Sequence, residues 1–328
     1  MRLPAVLLVV LVTSLVLAFA GSAATPAPGA AGKIVVTSKS GDVKGEHFDL
    51  YLLDSAGGPP MQITKTPSLD ELWPTFSPDG TKIVFVRCAC DISGREGTVV
   101  EGSADLYVMN AVGGPARRLT HLGPAFAALN RPSWSPDGKR VLFDAVYRGD
   151  WPHIYEVAAD GGKIVRLTSA QHEDIAPVLS PDGKELATFR TPHDGEPYAW
   201  KMGLYVIDLA TGKATRVAGG VPYYDRARWS PDGSRLAVSR DAGKYLDNVW
   251  TVAPDGSAPR QVTRGSGDKQ WPAWSPDGSR LAYVKLPRAS DNYGYAGTVT
   301  TVRPDGTAAV TLPAPLALNE QPDWQPGP

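Results

Sequence analysis

The sequence predicts an all-β fold, a six-bladed β-propeller closed by a C-terminal strand that pairs with the N-terminal blade. Three observations predict it: a tetrapeptide that recurs five times, four strand-like segments in each repeat, and one inner strand left over at the C-terminal end. Abundant Gly (34) and Pro (30) among 328 residues fit many short strands joined by tight turns.

The tetrapeptide is Ser-Pro-Asp-Gly, beginning at Ser77, Ser135, Ser180, Ser230 and Ser275. The steps are 58, 45, 50 and 45 residues, with 50 more to a degenerate copy at Gln325. These lengths suit one propeller blade per repeat. An aromatic residue or Leu precedes each copy: Phe76, Trp134, Leu179, Trp229, Trp274 and Trp324. Two residues earlier stands Pro74, Pro132, Pro177, Ala227, Pro272 or Pro322. We call this segment strand A. A β-rich strand B follows each full motif, as in Ile83-Val84-Phe85-Val86 and Leu281-Ala282-Tyr283-Val284. Strand C comes next, as in Asp49-Leu50-Tyr51-Leu52-Leu53 and Asp105-Leu106-Tyr107-Val108-Met109. A turn containing Gly57, Gly113, Gly161, Gly212, Gly256 or Gly306 then leads to a short strand D, such as Arg118-Leu119-Thr120.

Six B–C–D sets begin near Lys33, Lys82, Arg140, Glu185, Arg235 and Arg280. Six A strands also exist, yet the first B–C–D set has none before it, and the unmatched one, Gln321 to Trp324, ends the chain. It completes the first blade only if the chain closes into a ring, which leaves no open sheet edge between the last blade and the first.

Ser-Pro-Asp-Gly holds a hydroxyl and a carboxylate, but its expected role is structural. Pro fixes φ, Asp bonds backbone amides, and Gly takes the positive φ that ends the turn. Five equivalent copies would make five equivalent sites, whereas active sites are usually single. The preceding aromatics are expected to pack between adjacent blades.

The first twenty residues read as a signal peptide: Arg2, a run over residues 4–20 that is apolar except for Thr13 and Ser14, and a small-x-small ending at Ala18-Phe19-Ala20, with Ser22-Ala23-Ala24 as the alternative cleavage site. The run is short for a membrane span, so a membrane is met only through this segment if it stays uncleaved. No Cys stands near the cleavage region to carry a lipid. Residues 21–32 are an Ala/Pro/Gly/Ser linker, and the propeller occupies 33–328. The two cysteines, Cys88 and Cys90, would lie about 6.7 Å apart in an extended strand, near the limit for a bridge, so a disulfide there needs a local turn. Net charge is −1 with no basic run, which argues against nucleic acid.

Residues 33 to the end resemble the TolB-type propeller repeat, carried by the five Ser-Pro-Asp-Gly copies and the aromatic before each. The resemblance is to the propeller alone, because the signal and linker run straight into Lys33 where TolB itself has an α/β domain. The chain is expected to be an exported scaffold, monomeric and without cofactor, and the mixed charges ringed by aromatics at its channel mouth suit an envelope or extracellular protein, or a glycan. In TolB the channel mouth docks a partner lipoprotein, which implies the corresponding face here.

Strand order places the A–B and C–D turns on one face and the B–C and D–A segments on the other. The first set is short and uniform; the second varies, with B–C loops at 87–104, 191–201 and 287–297. Function on a rigid frame tends to reside on variable loops. Candidate binding residues at the channel mouth are Glu71, Asn130, Arg131, Asp174, Asp225, Arg226, Lys269, Gln270, Asn319 and Glu320. Trp151, Tyr198, Trp200, Tyr245, Tyr293 and Tyr295 lie in or beside B–C loops of the same face. An enzymatic alternative uses His153, His172 and His193, with His121 nearby. With Asp150, Glu173, Asp174 and Asp194 they could hold a divalent metal, as in oligogalacturonate lyases of similar repeat style. A prolyl-peptidase reading fails because no Gly-x-Ser-x-Gly elbow is present.

Overall fold

The computed structural model describes residues 32–40, 47–91, 98–99, 103–168, 172–192, 202–222, 225–241, 246–286, 297–313 and 319–327. Six four-stranded antiparallel sheets follow one another around a ring. Blade one consists of Asn319–Trp324, Lys33–Ser40, His47–Asp54 and Met61–Gln62, in that spatial order. Its inner strand therefore comes from the C-terminal end and the other three from the N-terminal end. The pairing runs Ile34↔Trp324, Val35↔Asp323, Thr37↔Glu320 and Ser38↔Asn319.

Blades two to six have inner strands Asp70–Phe76, Phe126–Trp134, His172–Leu179, Arg228–Trp229 and Lys269–Trp274. Their B strands are Lys82–Cys88, Arg140–Tyr147, Glu185–Pro192, Leu236–Asp241 and Leu281–Lys285. Blade two carries an added hairpin in its B–C loop, Cys90–Asp91 with Thr98–Val99, which no repeat signal announced. Strand B breaks at Ala89 just before it. Cys88 is disulfide-bonded, and the only other cysteine in the chain is Cys90.

The core is divided among the clefts between blades, with one apolar cluster in each among the described residues. Between blades four and five, for example, Phe189, Leu204 and Val206 meet Trp229, Leu236 and Val238. This is why both faces of each B and C strand are apolar: every blade buries one face against each neighbour.

The repeated turn is the structural device expected. In its first copy Ser77 N–H donates to Lys82 O (2.8 Å), Gly80 N–H to Ser77 O (2.8 Å), and Ser77 Oγ to Asp79 Oδ1 (2.6 Å). Asp79 Oδ1 also accepts Thr81 N–H (3.0 Å). The other four copies repeat this geometry, each Gly at φ between 66° and 72°. The aromatics pack between blades and also tie them together. The indole N–H groups of Trp134, Trp229 and Trp274 donate to Thr75, Val178 and Arg228 carbonyls of the preceding blade, at 3.1, 3.2 and 3.1 Å.

Around the same face the turns touch one another. A Cβ on Gly138, Gly183, Gly233 or Gly278 would contact Pro78, Pro136, Pro181 or Pro231 of the preceding turn. The circuit is completed by Gln325-Pro326-Gly327 standing in for the sixth turn. Gln325 N–H donates to Lys33 O (2.8 Å), Gln325 Nε2 donates to Gly80 O (2.8 Å), and Pro326 O lies against Gly80. Among the described residues no helix is long and apolar enough to cross a membrane.

Candidate functional site

Each inner strand enters from the variable face and runs towards the Ser-Pro-Asp-Gly face. In five of the six it carries a bulge at an x-Pro step, with two residues facing one on strand B. The residue before each Pro, namely Trp73, Arg131, Ala176, Trp271 or Gln321, has φ between 47° and 55°. Such values are strained for residues other than Gly and persist only where the surroundings enforce them. Blade five has Ala227 in place of Pro, no positive φ at Arg226, and inner-strand pairing reduced to Arg228–Trp229.

That exceptional strand bridges the channel. Arg226 Nη2 donates to Pro74 O of blade two (3.1 Å) and Nη1 to Pro132 O of blade three (3.4 Å). Blades two and five are opposite in a ring of six, so the guanidinium crosses the axis. One layer nearer the uniform face, Arg228 Nη2 donates to Asp323 Oδ1 of blade one (3.0 Å) and reaches Thr75 Oγ1 of blade two (3.3 Å). Asp323 Oδ2 accepts Phe76 N–H (2.8 Å), and Gln321 Oε1 accepts Trp73 N–H (2.7 Å). The clasp strand is thus held by its axial side chains as well as by its ladder.

The expected mouth residues are mostly folded into the ring rather than presented to solvent. Glu71 Oε1 accepts Arg87 Nε–H (2.8 Å) and the Thr66 hydroxyl, and burial pushes its carboxyl up to about 7. Asn130 is half-buried opposite Asp144. Arg131 pairs with Asp144 (3.2 Å) and stacks over Trp73, 6.0 Å from the ring centre. Asp174 receives two bonds from Arg190, at 2.7 and 3.1 Å. Asp225 Oδ2 accepts Ser239 N–H (2.8 Å), and burial raises its carboxyl to about 6. Lys269 Nζ donates to Gly265 O, and burial together with Lys285 lowers its ammonium below the usual lysine range. Gln270 Nε2 donates to Asp247 Oδ2 (2.8 Å). Asn319 and Glu320 are placed by their backbone pairing, and their side chains lie outside the described residues.

Of this set, Arg131 and Arg226 converge on the axis, while Glu71, Asp174 and Lys269 are tied within their own blades or loops. Arg228, Asp323 and Gln321 are axial residues that the sequence reading did not nominate. The signal that could have found the first was the one inner strand in which Ala replaces Pro and Arg stands on both sides of it.

The histidines are scattered. His153 is buried, with Nε2 3.3 Å from Asp150 Oδ2, and burial lowers its imidazole below the usual range. Arg166 reaches the same carboxylate at 3.6 Å. His172 opens the inner strand of blade four, and His121 is exposed in the segment before blade three. His193 lies outside the described residues. Among the described residues no three or more His, Cys, Asp or Glu are grouped to hold a metal ion. Trp151 is 49% exposed on the variable face, whereas Tyr198, Trp200, Tyr245, Tyr293 and Tyr295 lie outside the described residues.

Known proteins match this geometry. A family model described as the TolB beta propeller domain matches residues 97–198. An uncharacterized protein of Agrobacterium fabrum is 29% identical over 196 residues, 58% of this chain and 61% of that protein. A TolB homolog of Chlorobium luteolum is 29% identical over 209 residues, 64% of this chain and 42% of that protein. The chain therefore spans less than two thirds of the length of these curated relatives. The crystal structure of TolB from Acinetobacter baumannii superposes with a TM-score of 0.69 at 23% identity, covering 90% of this chain and 67% of that one. The chain folds as a six-bladed β-propeller similar to that of TolB.

Proposed function

We propose that the chain is an exported scaffold whose variable face binds a segment of an envelope or extracellular protein. The observation that carries this reading is the contrast between the two faces around a bridged axis. The uniform face is a closed circuit of like turns, each Gly against the preceding turn's Pro. The variable face bears the unlike D–A and B–C segments, an exposed Trp151 and the entry to the axial arginines. With Arg226 and Arg228 spanning the ring, a partner meets a floor rather than a through-pore. The likeness to TolB proteins supports the same reading, and the signal-like first twenty residues support export.

The test is selection of peptides from a random display library on the immobilised mature chain. Asn130→Trp on the variable face is expected to abolish binding of the selected peptides, and Lys184→Trp on the uniform face to leave it unchanged. Failure to select any peptide, or loss with Lys184→Trp instead, overturns the reading; selection from a glycan array in place of peptides replaces the partner class. Export is checked separately by sequencing the N-terminus of the chain recovered outside the cytoplasm, expected to follow Ala20.

A further inference from the structure

We propose that Arg226 is the anchor of the variable-face site and takes a carboxylate from an acidic side chain of the bound protein segment. This rests on the protein-binding reading above. Inner strands run from the variable face downwards, so a group approaching along the axis from that side meets Arg226 before Arg228.

Three guanidinium groups gather there, and two are already matched. Arg131 pairs with Asp144 and Arg228 with Asp323. Arg226 is 4% exposed, yet both its bonds among the described residues go to neutral carbonyl oxygens, although a guanidinium carries five N–H donors. The adjacent Asp225 does not serve it, because its Oδ2 is turned to Ser239 N–H on strand B of its own blade. Desolvation first, then the charges of Arg228 and Arg131, act against the Arg226 cation, while those of Asp323 and Asp225 act in its favour without outweighing the burial. A buried cation with no carboxylate hydrogen-bonded to its guanidinium is costly, and an incoming anion that accepts its remaining donors offsets that cost.

The surroundings also select the anion. The charges of Asp225 and Asp323 also reach Arg226, and their repulsion disfavours a phosphate dianion more than a singly charged carboxylate. A point anchor beneath a rim of variable loops suits one Glu or Asp side chain reaching inward from a longer segment.

Glutarate and its neutral diamide are the probes, each titrated into the mature chain at constant ionic strength, with the melting midpoint as readout. Saturable stabilisation by glutarate, none by the diamide, and a dissociation constant weakened about tenfold or more in Arg226→Gln is the expected result. Arg140→Gln on the uniform face retains the wild-type response. No saturable response in the wild-type chain overturns the proposal whether or not Arg226→Gln folds, as does an undiminished response in that variant. A response to inorganic phosphate and not to glutarate overturns the choice of anion. If library peptides still bind the variable face while glutarate does not, only the anchor is lost. A glutarate response through Arg226 with no selectable peptide sinks the protein-binding reading instead.

Discussion

Replacing Trp324 by Ala removes the largest apolar side chain that the terminal strand contributes to closing the ring. Trp324 is 7% exposed and packs with Ile34, Val36 and Leu53 of blade one and Trp271, Val284 and Val299 of blade six. Its indole N–H has no acceptor among the described residues, unlike that of Trp229, which donates to Val178 O. Truncation at 324 thus removes packing alone. Cutting a buried Trp to Ala costs about 3–5 kcal/mol, and with no hydrogen bond lost the lower end applies. Unfolding entropy of about 2.1 cal/mol/K per residue, over roughly 300 residues, amounts to about 0.6 kcal/mol/K. A loss of about 3 kcal/mol then lowers Tm by about 5 °C. Trp229→Ala gives up an additional hydrogen bond of about 1 kcal/mol, which lowers Tm by a further 1–2 °C or so. Calorimetric melts of the two variants beside the wild type measure both steps. An unchanged midpoint for Trp324→Ala refutes closure of the ring by its last strand.

Asp323→Ala leaves Arg228 without its carboxylate and Phe76 N–H without its acceptor, and is expected to cost about 3 kcal/mol in urea unfolding, more than Asp323→Asn. Gly80→Ala places a Cβ 2.9 Å from Pro326 O at a φ of 67°, so it is expected to cost at least about 1–2 kcal/mol, whereas Gly57→Ala, with open space around it, shows only the backbone strain. Burial raises the Glu71 carboxyl to about 7, so the folded chain binds that proton more tightly than the unfolded chain. The stability it contributes is complete below the ordinary glutamate range near 4.5 and is lost as pH rises through about 7. Glu71→Gln is expected to flatten that decline by up to about 3 kcal/mol in denaturant titrations between pH 5 and pH 8 or so. The repeated turns act in the opposite sense. Their aspartates, Asp79 among them, are held below the usual range by the Ser77-type hydroxyl and neighbouring amides, so their contribution fades as pH falls through that lowered range.

The ring was legible because its determinants are local and repeated. Each Ser-Pro-Asp-Gly turn is closed by its own residues, and an unmatched inner strand has no other sheet to complete. The added hairpin at Cys90–Asp91 was not legible, since it occurs once and its strands are two residues long. The mouth residues were only partly legible. Counting back from each A strand located the right segments, but it gave no information on which side chains turn inward. Glu71 and Asp174 find arginines two strands' width from the axis, on strand B of their own blades, because Arg87 and Arg190 stand directly opposite them in register. That cross-strand pairing is a property of register and is invisible to a count along one strand.

The departures from the repeat are more informative about function than the repeat. A Pro fixes its own φ and restricts the residue before it, and five inner strands accept a left-handed residue there with a bulge. These strained steps hold the inner strands in one conformation around the axis. Blade five lacks the Pro and lacks the bulge, and it is the blade that sends two arginines across the ring. Arg228 serves closure, through Asp323 on the terminal strand. Arg226 serves no carboxylate and reaches two x-Pro carbonyls, on blades two and three, whose bulges expose those oxygens to the axis. A purely structural plug would be expected to be apolar, since replacing buried charge by packed side chains is commonly neutral or stabilising. A cation held at the axis, on the side that faces the variable loops, is better explained by what arrives there than by what it holds together.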